Sequence, residues 1–153
     1  MLPEAFLERM KRQLGDEYER YLDSLNRPRA VALRFNPLKG EIPQLPFVGQ
    51  PVPWEPMGYY YDPDARPGLH VFHEAGVYYL QEASAMAPVA LLDPQPGERV
   101  CDLYAAPGGQ TTHIDGRTKG RGLLLYNEIH PKREQILSPH TGRQALSKHP
   151  APH

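Results

Sequence analysis

The chain has 153 residues, enough for one domain or two very small ones, and its 40% hydrophobic content permits a buried core. Seventeen Lys and Arg against 18 Asp and Glu give a net charge of -1, so no overall field draws the chain to nucleic acid or to a membrane. No apolar run reaches membrane-spanning length, the N-terminus lacks a signal-peptide core, and one cysteine excludes an internal disulfide, so a reducing, cytoplasmic setting is expected.

Residues 3–25 read as a single amphipathic helix with Pro3 near its first turn. Phe6, Leu7, Met10, Leu14, Tyr18, Tyr21, Leu22 and Leu25 recur at three- and four-residue spacing, a face expected to pack into the core. Gly15 weakens its middle by about 1 kcal/mol relative to Ala. Arg29 to Phe35 reads as a strand with Val31, Leu33 and Phe35 on one face and Ala32 and Arg34 on the other. Arg27, Arg29, Arg34 and Lys39 make a basic stretch with no acid until Glu41. It reads either as a phosphate-contacting edge or as a solvated strand face.

Residues 40–70 alternate prolines, glycines and aromatics, among them Trp54 and Tyr59 to Tyr61. A loop-rich region is expected, its aromatics stapling the loop to a small core rather than stacking on bases. Val71 to Leu80 suggests strand character. Ser84 is placed to cap a helix running to about Leu92, which Asp93-Pro-Gln-Pro-Gly97 breaks. From Arg99 onward the order is strand, loop, helix, strand, helix: one βαβ unit with a helix after it. His113, His130 and the other histidines show no metal-ligand spacing, so solvated or capping roles are expected and no metal site is. After Leu137 large apolar residues nearly vanish, and residues 138–153 are expected to be disordered or a frame-shifted or appended tail.

Chemistry concentrates at the βαβ unit. The apolar run Arg99-Val-Cys-Asp-Leu103 meets a small-residue turn, Tyr104-Ala-Ala-Pro-Gly-Gly-Gln110, and a helix follows. Gly108 and Gly109 let the backbone approach a ligand, and unpaired N–H groups at the helix start suit an anionic or polar group. The turn alone fits an ordinary strand-to-helix connection, because it is neither a strict dinucleotide nor a P-loop fingerprint. Glu128 ends the next apolar run, at the spacing where an acid accepts ribose hydroxyls. Turn and acid together point to a nucleoside-containing cofactor.

Pro96 to Thr112, with its Ala-Ala-Pro-Gly-Gly core, resembles the S-adenosylmethionine motif of the Sun/Fmu-type RNA 5-methylcytosine methyltransferases. Tyr79-Leu-Gln-Glu-Ala-Ser-Ala-Met86, Arg34-Phe-Asn-Pro-Leu-Lys39 and Asn127 to Arg133 are similar to further elements of that family, in its order, with Asn127 to Arg133 most similar to its bacterial ribosomal RNA branch. The resemblance implies an α/β protein: an N-terminal α+β RNA-binding region over residues 1–80, somewhat RRM-like, then over 81–137 the opening βαβα of a Rossmann-like methyltransferase domain. It implies S-adenosylmethionine as cofactor and RNA, by branch that of the ribosome, as partner, with no membrane. Tyr104, Ala105, Ala106, Pro107, Gly108, Gly109, Gln110 and Glu128 are then the cofactor-binding residues, and Arg27, Arg29, Arg34 and Lys39 the RNA-contacting ones.

Three departures from the family qualify this. Tyr104 replaces a usual Cys, Gln110 replaces a usual Lys and predicts weaker cofactor binding, and the Pro-Cys and Thr-Cys motifs that carry the catalytic thiols are missing. Carbon 5 of cytosine becomes nucleophilic only after a thiolate adds to carbon 6, so the family chemistry needs a positioned thiol. Cys101, inside the first strand of the unit, is expected to be a small core residue. No catalytic residue is therefore assigned. The expected function is that of a ribosomal RNA cytosine-5 methyltransferase by family, with this chain inactive alone. The alternatives are a non-catalytic RNA- or partner-binding remnant, or half of a split enzyme completed by a second polypeptide.

Overall fold

Gly15 divides the predicted N-terminal helix. In the computed structural model, which describes residues 2–130 with Lys132 and Arg133, α1 spans Glu4–Leu14 and α2 spans Tyr18–Leu25, separated by a 3-10 turn at Gly15–Glu17. Gly15 adopts φ +52°, a left-handed value that glycine takes without steric cost, and α1 stops there. No residue of either helix is buried. The apolar stripe is half-buried at best, and Leu25 is exposed, which corrects the expectation of core packing. Other residues fill the core in its place.

That core lies on both faces of a four-stranded antiparallel sheet of order β2-β3-β1-β4, built from β1 (Ala32–Phe35), β2 (Val48–Pro51), β3 (Gly58–Tyr61) and β4 (Tyr78–Leu80). Leu33, Phe35 and Tyr78 share one face, covered by Leu45, Phe47, Met57 and Phe72. On the other, Ala32 packs with Val52 and Met86. Being central and covered twice, β1 has all four residues buried, so the solvated strand face read from the sequence does not exist. β1 is also shorter than the Arg29-to-Phe35 strand expected.

Two strands lie where loops were expected: β2 and β3 pair within residues 40–70, and Pro51 is tolerated because β2 is an edge strand lacking one ladder partner. Trp54 staples this segment to the next, its indole N–H donating to the Ala83 carbonyl at 2.8 Å. The strand expected from Val71 starts only at Tyr78. Residues Val71–Glu74 form a short helix, α3, whose start is capped by His70 Nδ1 accepting the Phe72 N–H at 3.2 Å. Ser84 is not a cap: α4 (Ala83–Leu92) begins one residue before it, with Glu82 at the N-cap position, and ends at Asp93 in a left-handed conformation.

The βαβ unit forms as read. β5 (Arg99–Asp102) and β6 (Leu123–Tyr126) pair in parallel, joined through α5 (Gly109–Thr118). Val100 faces α5 and shares a small cavity with Ile114 and Thr118. Alternation along the strand then turns Cys101 to the opposite face, and Cys101 is exposed, not a core residue as expected. The expected helix after β6, beyond Arg133, and the segment 138–153 lie outside the described residues. Among the described residues no helix is long and apolar enough to cross a membrane, and no group of His, Cys, Asp and Glu is arranged to hold a metal.

Candidate functional site

The strand end and the glycine turn are tied together by Asp102. Its Oδ1 accepts the Tyr104 N–H at 3.1 Å, an Asx-type turn that Asp favours at such ends. Its Oδ2 accepts the Thr111 hydroxyl at 2.6 Å. One carboxylate thus fixes both the entry to the turn and the first turn of α5. Ala105 and Ala106 are buried against Tyr126, and Gly108 at the N-cap of α5 has φ +111°. The Gly109, Gln110 and Thr111 N–H groups precede the first bond of α5, from the Thr112 N–H to the Gly108 carbonyl at 2.9 Å, and lie at the positive end of the helix dipole.

The second strand brings an acid to this turn. The Ala105 N–H donates to the Asn127 carbonyl at 3.0 Å, and the Asn127 N–H to the Asp102 carbonyl at 2.8 Å. Glu128 follows, its Oε2 accepting the Ala106 N–H at 3.3 Å. The His130 N–H bonds Glu128 Oε1 at 3.0 Å, and Arg133 Nη1 lies 3.5 Å from Oε2. The His130 backbone bond, against the desolvation that opposes it and with the Arg133 charge and the Ala106 bond in support, holds the carboxyl below its ordinary pKa. Glu128 is therefore anionic at neutral pH. Tyr104 and Pro107 are exposed beside the turn, whereas the Gln110 amide leans away and donates to the Ala85 carbonyl at 3.3 Å.

Arg34 corrects the basic stretch. It is buried, and its guanidinium points into the molecule, donating to the Gln81 side-chain carbonyl, to the Gly109 carbonyl at 3.1 Å and to the Thr112 hydroxyl at 2.9 Å. Burial pulls its pKa down to about 10, which leaves it charged at neutral pH. A cation so enclosed is not available to RNA. Arg27, Arg29 and Lys39 remain exposed, Arg29 in a surface ion pair with Glu82. Arg29 precedes β1 and Lys39 lies beyond its far end, so the stretch is not one continuous edge.

A second buried polar group lay outside the sequence reading. Glu55 Oε2 lies 2.8 Å from His113 Nε2 and 2.8 Å from Arg117 Nη2. Burial would raise the Glu55 pKa, but the hydrogen bond from His113, the charge His113 gains once protonated at low pH, the Arg117 bond and the Met57 N–H outweigh it and bring it to about 2. Burial dominates at His113 and lowers its pKa to about 4 despite the Glu55 bond. Its Nδ1 is buried without a hydrogen-bond partner, which suits a bare lone pair far better than a second N–H. His113 is thus the neutral tautomer donating from Nε2, and neither solvated nor a cap as expected. His113 and Arg117, four residues apart, share a helix face, but no local pattern links them to Glu55.

Residues 2–83 match the N-terminal domain of 16S rRNA methyltransferase RsmF, and residues 89–149 match 16S rRNA methyltransferase RsmB/F. Ribosomal RNA small subunit methyltransferase F of Enterobacter sp. (strain 638) is 36% identical over 161 residues, covering 95% of this chain and 33% of the relative. The protein of that name from Klebsiella pneumoniae (strain 342) is also 36% identical over 161 residues, covering 95% and 34%. The chain therefore spans about a third of the length of these curated relatives. A methyltransferase homolog protein of Pyrococcus horikoshii superposes with a TM-score of 0.81 at 26% identity, over 96% of this chain and 51% of the solved one.

Proposed function

This chain belongs to the family of 16S rRNA methyltransferase RsmF, and from that membership we propose that it is the cofactor-binding and RNA-contacting portion of a ribosomal RNA cytosine-5 methyltransferase. Residues Tyr104 to Gln110 are the proposed seat of the methionine end of S-adenosylmethionine, and Glu128 the acceptor for its ribose hydroxyls. When bound, that cofactor supplies an electrophilic methyl group. The residues present suit it: the side chains of the turn are small, the N–H groups at the start of α5 precede its first bond, and an ionised carboxylate stands next to the turn. The observation that carries the reading is the Glu128 carboxylate hydrogen-bonded to the Ala106 N–H across 22 residues of chain.

Residues 1–80 are proposed as the RNA-contacting part and residues 81–137 as the cofactor part. Arg27, Arg29 and Lys39 are exposed cations able to meet phosphate, and a surface pair such as Arg29–Glu82 is readily exchanged for one. The reading is tested by calorimetric titration of S-adenosylmethionine into the wild-type chain and Glu128→Ala. Weaker binding by the variant is expected, and equal affinity removes Glu128 from the site.

The 153 residues by themselves are proposed not to complete cytosine methylation. Cys101 lies before the turn, on the sheet face away from α5, and matches neither of the family's Cys motifs. The purified chain should transfer no labelled methyl group to unmodified ribosomal RNA, and Cys101→Ser should change nothing. Transfer that vanishes in Cys101→Ser overturns this. The second reading is that further protein bearing the Cys motifs, in the same polypeptide or another, covers the exposed Cys101 face of the β5–β6 pair, since parallel sheets are ordinarily covered on both faces. Activity that appears only on adding a Cys-bearing downstream polypeptide would establish it.

A further inference from the structure

The carbonyl groups of the glycine turn are engaged by the N-terminal sheet. Arg34 of β1 donates to the Gly109 carbonyl at 3.1 Å and to the Thr112 hydroxyl at 2.9 Å, and the same hydroxyl donates to the Gly108 carbonyl at 2.7 Å. Tyr79 of β4 places its hydroxyl 3.5 Å from the Pro107 carbonyl. Gln81 closes the arrangement: its side-chain carbonyl accepts from Arg34, its amide donates to the Ala85 carbonyl at 3.1 Å, and a Cβ built on Gly109 would stand 3.2 Å from that amide. The Arg34 guanidinium also lies 5.8 Å from the centre of the Tyr79 ring.

A trans peptide carries its C=O and N–H on opposite sides of one plane. Drawing the Pro107 and Gly109 carbonyls toward the sheet therefore turns the Gly108 and Gln110 N–H groups away from it, and at Gly109, the first residue of α5, the helix direction acts in the same sense. A buried guanidinium is suited to this: five donors in a rigid fork reach several acceptors at once, and burial makes each bond costly to exchange for water.

We propose that Arg34, supported by Tyr79 and Gln81, is a positioning residue for the cofactor turn: it sets the orientation of the Gly108 and Gln110 N–H groups from another sheet without touching the cofactor itself. The inference rests on the cofactor reading above for its consequence, though not for its geometry. It also gives the N-terminal region a second task, because the turn is shaped by strands the βαβ unit does not contain.

Arg34→Met keeps the aliphatic stem and removes every donor, Arg34→Lys restores one charged donor group, and Tyr79→Phe removes only the hydroxyl. In the full chain, two readouts are compared at a temperature where thermal melting shows each variant folded. These are the dissociation constant for S-adenosylmethionine and the amide hydrogen exchange of Gly108 to Gln110. Arg34→Met should bind roughly tenfold more weakly, with Arg34→Lys between it and wild type and Tyr79→Phe mildly weakened. Exchange in the turn should quicken in the same order, while that of β3 stays unchanged. A purely structural role would speed exchange throughout. If Arg34→Met does not fold, Tyr79→Phe and Arg34→Lys decide. Wild-type affinity and turn exchange in folded variants overturn the proposal. If the wild-type chain binds no S-adenosylmethionine, the cofactor reading fails, and exchange alone judges the positioning role: faster at the turn sustains it, unchanged refutes it.

Discussion

His113 is neutral in the folded chain because it is buried at 2% exposure, and that neutrality can be titrated away. The unfolded imidazole takes up its proton near 6.5, whereas the folded one does so at about 4. Between those values the unfolded chain holds the extra proton, so stability present at pH 7 is lost as pH falls through this window. The interval corresponds to roughly 3 kcal/mol, a large share of an ordinary domain's 5–15 kcal/mol. Glu55 extends the loss at lower pH: its folded pKa of about 2 lies below the ordinary 4.5, so its contribution fades between those two values. Urea denaturation of the wild type and His113→Gln at pH 7, 6, 5 and 4 isolates the first part. Glutamine can still donate to Glu55 but does not titrate. The wild type should lose roughly 3 kcal/mol more than the variant between pH 7 and 4. Parallel loss in both proteins would refute the assignment of a buried, neutral His113.

Three further outcomes follow from the packing and the surface. Met86→Ala empties the position between Ala32 and Val52 and should destabilise by about 2–5 kcal/mol in urea titration, whereas a loss under ~1 kcal/mol would mean the core collapses around the gap. Gly122→Ala would place a Cβ 2.3 Å from the Glu98 carbonyl oxygen at φ +116°, so the β5–β6 junction must shift. A denaturation midpoint at the wild-type value would show that this junction is not packed as described. Replacing Arg27, Arg29 and Lys39 together with Gln should weaken RNA binding and flatten its dependence on salt in filter binding, because phosphate contacts release counterions. An unchanged slope would return these residues to a solvated surface.

What local sequence encodes, it encoded here. The βαβ unit was readable from an apolar run, a small-residue turn and a second apolar run. The Glu128 placement followed, because a parallel neighbour sets the acid beside the turn at that spacing. Residue order also carried the family through the turn and the elements flanking it. The N-terminal helix was readable in position but not in continuity, since whether Gly15 bends, weakens or ends a helix depends on what the flanking turns pack against. β2 and β3 escaped detection because prolines and tyrosines signal loop and strand alike until a neighbour supplies the ladder.

Tertiary structure alone decided which way the charged and reactive side chains face. Arg34 looks in sequence like its basic neighbours, yet its central strand is covered on both sides, so its charge could only be satisfied inward, by Gln81, Gly109 and Thr112. Cys101 shows the converse: its apolar strand implied burial, but only the alternate face meets α5 among the described residues. Glu55 and His113 are 58 residues apart and meet because the sheet packs on α5. Local spacing fixes which face of an element a residue occupies, and only the packing of distant elements determines whether that face meets water, a hydrophobic neighbour or an opposite charge.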